Sequence, residues 1–135
     1  EAALRMGRVG PYQVQAAIAA LHAQSPAPDA TDWQQIAALY ALLLRMVPTP
    51  VVRLNRAVAV AFAVGFEAGL QALDQLVAEG SLRGYHLLPA ARADLLRRIG
   101  RWSEAAVAYQ SAIAQCDNRG HRALLERRLI EVTGG

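Results

Sequence analysis

Leu95-Leu96-Arg97-Arg98-Ile99-Gly100-Arg101-Trp102-Ser103-Glu104-Ala105-Ala106-Val107-Ala108-Tyr109-Gln110-Ser111-Ala112-Ile113 decides how this chain is read. It spells the end of one helix, a tight turn at Gly100 and the start of a second helix. Glycine takes a left-handed backbone at low cost, which suits Gly100 to stop the first helix. Ser103 is placed to cap the second helix. Ala105, Tyr109, Ala112 and Ile113 then recur at helical spacing on one face. The small residues Ala105 and Ala112 allow close approach of the two helices, and Tyr109 fills the space between them.

Working outward, turn positions repeat. Thr31, Gly65 and Gly100 are separated by 34 and 35 residues. Two positions beyond each stand Trp33, Glu67 and Trp102. Nine beyond stand Tyr40, Asp74 and Tyr109. The middle copy lacks the aromatics. A two-helix unit of ~34 residues with this glycine, tryptophan, tyrosine and alanine order resembles a tetratricopeptide repeat. The expected fold is therefore all-α: a right-handed solenoid of about three helix pairs plus a C-terminal capping helix, about seven helices in one domain over residues 1–135. Trp33, Tyr40, Trp102 and Tyr109 are expected between helices. A β-sheet in the middle of the chain would exclude this reading.

The individual helices follow from breakers and periodicity. Glu1 to Met6 reads as the tail of a helix or linker, stopped by Gly7 and Gly10. Pro11 opens the first full helix, Tyr12 to Ala23, with Ala16, Ala17, Ile18, Ala20 and Leu21 as its apolar positions. Ser25 to Ala30 is a loop stiffened by Pro26 and Pro28. Thr31 and Gln34 offer a capping box for a helix ending near Met46, before Pro48-Thr49-Pro50. The Val-rich run from Ala57 to Val64 also suits a buried strand, but the repeat register assigns it to a helix of about Val51 to Val64. The next helix, Phe66 to Ala78, carries Leu70, Leu73, Leu76 and Val77 inward. A fifth spans about Tyr85 to Ile99, with Pro89 in its first turn, and a sixth about Trp102 to Gln115. The last runs from about His121 to Val132, with Leu124, Leu125 and Leu129 inward.

Composition narrows the function classes. With 54% apolar and 19% charged residues the chain can bury a core. All 14 basic residues are Arg, and the net charge is +3. The excess lies from Arg83 onward, where nine Arg face five acids. This reads as a solvated helix face more readily than a nucleic-acid footprint, and direct DNA contact is not expected. The longest apolar run, Ile36 to Leu44, falls well short of the ~20 residues that span a membrane. One cysteine, Cys116, forms no internal disulfide and fits a reducing cytoplasm as a small packed residue. The chain begins at Glu1 without a signal peptide and reads as a fragment of a longer protein or a processed product.

No catalytic, cofactor or metal site emerges. His22, His86 and His121 lie far apart, without a partner at H-x3-H spacing. No serine has the context of a nucleophile elbow, and Gly7-Arg8-Val9-Gly10 is too sparse for a phosphate loop. In solenoids the first helix of each pair usually lines the concave face. The candidate binding groove is accordingly Tyr12, Gln15 and His22, then Asn55 and Arg56, then Asp94 and Arg97. A structural reading stands beside it: Arg56 and Asp94 as a partly buried ion pair, and Asn55 bonded to a helix end.

Five ordered segments carry a further resemblance: Gly10 to Ala23, Asp32 to Tyr40, Leu54 to Ala61, Tyr85 to Arg98, and Leu125-Glu126-Arg127-Arg128-Leu129. Together they resemble the tetratricopeptide-like C-terminal extension found in a subgroup of bacterial extracytoplasmic-function RNA polymerase sigma factors. The resemblance runs from about Glu1 to Val132. It implies a regulatory, protein-interacting module without cofactor. Its partners would be its own sigma domains, expected upstream of Glu1, or the RNA polymerase core. The residues alone equally allow a small-molecule or peptide sensor, or a stand-alone helical scaffold.

Overall fold

The computed structural model describes residues 9–24 and 30–134. The helix tail expected before Gly7 and most of the proline loop, residues 25–29, lie outside them. Among the described residues the protein is all-helical, with seven helices and no strand. They are α1 (Pro11–Gln24), α2 (Trp33–Met46), α3 (Pro50–Ala63), α4 (Phe66–Glu79), α5 (Leu87–Arg98), α6 (Trp102–Gln115) and α7 (Arg119–Thr133). Packing is concentrated in two units that meet in sequence at Gly65 and Phe66. The division falls at the turn inside the expected middle helix pair.

In the first unit, α1 packs on α2 and α2 on α3. Pro11 occupies the first turn of α1, where its missing N–H is no loss. The Gly10 N–H donates to Gln13 Oε1 at 3.0 Å, half of a capping box. Val14 and Ile18 face inward, with Ala17 and Leu21 partly covered. Ala16 and Ala20 point to solvent instead, because the buried stripe runs through positions 14, 18 and 21. At α2 the cap is Asp32, whose carboxylate accepts from Gln35 N–H at 3.1 Å. It displaces the expected Thr31–Gln34 box by one residue. Pro48-Thr49-Pro50 ends α2 and also starts α3, since Thr49 Oγ accepts from Val52 N–H at 3.2 Å and Pro50 sits in the first turn. The Val-rich run is helix, as the register requires. Its Ala57, Ala59 and Ala61 are buried.

In the second unit, α4, α5, α6 and α7 pack each on the next. Leu70, Leu73 and Leu76 of α4 are buried, but Val77 is 49% exposed, just off that stripe. Leu88, Ala93, Leu95 and Leu96 of α5 and Ala105, Ala108, Tyr109 and Ala112 of α6 are buried, and the two helices pack closely on each other. The turn between them has φ +81° at Gly100. The Gly100 N–H donates to Arg97 C=O at 3.1 Å and the Arg101 N–H to Leu96 C=O at 2.9 Å. This pair of bonds is a Schellman motif. The α6 cap position is Arg101, without a side-chain cap bond. Ser103 lies one residue inside the helix, so it does not cap. In α7, Leu125 and Val132 are buried, whereas Leu124 is on the exposed side.

Trp102 departs from expectation, being 54% exposed. Helical side chains lean toward the N-terminus, and Trp102 is the first residue of α6, just after the Gly100 turn. Trp33 has the same register yet is half-buried. Phe62 stacks on it at 4.7 Å between ring centres, and His22 meets it edge-on at 5.4 Å.

Gly100→Ala should lower stability by about 1–2 kcal/mol through the left-handed backbone alone, since its missing Cβ would meet open space. Gly65→Ala, where φ is not positive and space is also open, should be neutral or slightly stabilising. Tyr109→Ala should cost about 3–5 kcal/mol and Trp102→Ala well under half of that. Urea denaturation of the four variants checks these outcomes.

Candidate functional site

The expected groove residues fall into two chemical groups. On the first unit, Tyr12, Gln15, Asn55 and Arg56 are exposed, Tyr12 by 80%. Tyr12 and Gln15 lie three residues apart on α1 and so share a face. His22 is exposed too, but its ring is engaged with Trp33. With Phe62, these three rings tie the end of α1, the start of α2 and the end of α3. His22 thus contributes to scaffold as well as to surface.

On the second unit, Asp94 and Arg97 are held in a network within and between helices. Asp94 accepts from Arg97 Nη2 at 2.5 Å and from Arg98 Nε at 2.9 Å, both on its own helix. Both of its carboxylate oxygens are therefore engaged on α5. The Arg97 Nε also donates to the Tyr109 hydroxyl at 3.3 Å, joining α5 to α6. Burial works against the Arg97 charge, but the bonds to Asp94 and Tyr109 overcome it and raise the guanidinium pKa. Tyr109 is 2% exposed, and burial pushes its phenol pKa above the usual value, against a smaller opposing effect of Arg97. Burial raises the Tyr40 phenol pKa as well.

Two further features of the second unit have no counterpart in the expected groove. A cleft of about 330 Å³ opens between α4, α5, α6 and the 80–84 turn. Leu76, Leu88, Pro89 and Val107 supply its apolar wall, and Arg83 and Arg92 its cations. Arg92 is paired with Asp74 at 2.8 Å.

The second feature is a cluster of His86, Cys116 and His121, one potential ligand atom from each lying within 4.8 Å of the others. His86 immediately precedes α5, Cys116 immediately follows α6, and His121 is in the first turn of α7. Asn118 caps α7 by accepting the His121 backbone N–H at 2.8 Å, which fixes that residue's position. His86 Nε2 and His121 Nδ1 are 2.8 Å apart, with ring planes inclined by 61°. Cys116 is 3% exposed, and its thiol donates to Asn118 C=O at 3.4 Å. Local ligand spacing does not reveal this trio. Residues 86 and 121 are separated by the 35-residue step of the repeat, far beyond any local ligand spacing.

No protein-family model matches the chain, and no solved structure matches it. An uncharacterized protein of Rhizobium meliloti (strain 1021) is 46% identical over 127 residues. The match takes in 94% of this chain and 30% of that relative, so the chain spans under a third of the relative's length.

The buried phenols give stability a defined alkaline dependence. Their folded pKa values are raised, so their contribution is complete below the unfolded value of about 10 and is lost as pH rises toward the folded values. The chain has no Lys to titrate in this window. Urea midpoints measured from pH 8 to 11 should fall above about pH 10, and less steeply in Tyr109→Phe.

Proposed function

We propose that this chain is the regulatory, protein-interacting extension of a bacterial extracytoplasmic-function RNA polymerase sigma factor. It would act in the cytoplasm, without enzymatic activity. One observation carries the reading: each of the five segments that resemble that extension falls on one helix and at most the two residues before it, α1, α2, α3, α5 and α7 in order. Two further facts support it. The match to a relative more than three times longer leaves room there for other domains. No described helix is long and apolar enough to cross a membrane.

The module would modulate transcription initiation by contacting its own sigma domains or the polymerase core. To regulate, it must bind the competent and incompetent arrangements of the factor with different affinity. Tethering on the same chain raises the effective concentration of such a contact, so weak surfaces suffice. Exposed Tyr12, Gln15, Asn55 and Arg56 are the residues assigned to it. Reading the promoter would belong to the upstream domains, not to these helices.

The cleft of the second unit supports a second reading, a sensor of a peptide or small molecule. Its volume of about 330 Å³ lies at the lower end of ligand pockets, ~300–1,000 Å³.

The deciding experiment compares the full-length factor with a version lacking this module, in polymerase pull-down and promoter-directed transcription. Removing the module should change promoter output. Gln15→Ala with Asn55→Ala should do the same while leaving stability within about 0.5 kcal/mol. Unchanged output together with unchanged polymerase capture would overturn the proposal. In that case a melting-temperature rise on ligand addition would favour the sensor.

A further inference from the structure

We infer that His86, Cys116 and His121 form a binding site for a borderline-soft divalent metal ion, Zn²⁺ being the best match. The inference stands on the second unit alone and is independent of the proposed role in transcription.

The donor set comes first. Two imidazole nitrogens and one sulfur suit zinc and exclude magnesium and calcium, which require oxygen ligands. Three protein ligands leave a fourth tetrahedral position for water or an external ligand.

Geometry is the second support. Zinc bonds of about 2.0–2.1 Å to nitrogen and about 2.3 Å to sulfur place tetrahedral ligand atoms roughly 3.3–3.6 Å apart. The three atoms already lie within 4.8 Å of one another. The two imidazole nitrogens, 2.8 Å apart, need to separate by only about half an ångström. Both rings are half-buried, so side-chain rotation is the adjustment open to them.

The third support is that the ligands are held in place. His86 precedes α5, Cys116 ends α6, and His121 is fixed by the Asn118 cap of α7. The thiol is buried while both imidazoles reach partial exposure, so the ion enters from the imidazole side. On binding, Cys116 releases its proton to water and coordinates as thiolate, giving up its bond to Asn118 C=O, and the imidazole that donates in the His86–His121 hydrogen bond carries its proton on its other ring nitrogen instead, so that both facing nitrogens can coordinate. The ion then joins three helix ends. A packed cysteine beside a hydrogen-bonded histidine pair explains the contacts without metal, and the two accounts differ in a measurable way.

The test titrates the tag-free, metal-stripped 135-residue chain with Co²⁺ under reducing conditions, followed by absorption, and then adds Zn²⁺ in competition. Cys116 is the only cysteine in the chain, so a thiolate-to-cobalt charge-transfer band can come only from it. The expected result is one Co²⁺ per chain, with that band and strong tetrahedral d–d bands, all erased by Zn²⁺. Cys116→Ala should abolish the charge-transfer band. His86→Gln and His121→Gln should each weaken binding by at least about 100-fold, since outer-sphere changes alone cost 10–100-fold. Helical circular dichroism identifies any variant that fails to fold. X-ray absorption of the zinc-loaded natural sequence requires no variant and should give one sulfur and two imidazole nitrogens. No charge-transfer band, a sulfur-free zinc shell, or full affinity in a folded histidine variant would each overturn the site.

Discussion

Helices of 12 to 15 residues are marginal in water by themselves, so each described helix depends on a neighbour to cover its apolar stripe. That constraint explains why successive helices within each unit pack together. In the second unit, buried leucines of α5 and buried alanines of α6, with Tyr109, lie on two helices that pack on each other. In the first, the Val14 and Ile18 stripe joins Ile36, Leu39 and Leu43 in one core. A buried aromatic hydroxyl needs a polar partner, and Arg97 provides it from the facing helix. One contact therefore serves packing, charge and hydrogen bonding together.

Turn chemistry decides where these stripes begin and end. Thr49 and Pro50 convert a helix stop into a helix start across only residues 47–49. Gly100 closes α5 by the left-handed route, and Asn118 opens α7 by accepting a backbone N–H. Such ends carry chemistry as well as geometry. His86, Cys116 and His121 all lie at helix termini, where side chains from three elements reach one point without disturbing the apolar faces between helices.

The residues first associated with a groove have more than one role in consequence. Tyr12, Gln15, Asn55 and Arg56 remain available at the surface. His22 is occupied by Trp33, and Asp94 and Arg97 by each other, Arg98 and Tyr109. A polar residue on the first helix of a pair can face a partner or brace its own scaffold, and sequence spacing does not distinguish the two.

Periodicity and breakers in the sequence determined that the chain is helical, how many helices the described residues form, and most of their ends to within a residue or two. These are local properties, set by 3.6-residue spacing, proline and glycine. They also determined that Tyr109 would be buried, because Ala105 and Ala112 beside it leave room. Only tertiary structure separated Trp33 from Trp102, since burial at the first turn of a helix depends on whether another element, here Phe62 and His22, arrives above it. Only tertiary structure joined His86 to Cys116 and His121. A 35-residue step carries no signal in a search for adjacent ligands, but packing successive helices converts it into a separation of 2.8 Å.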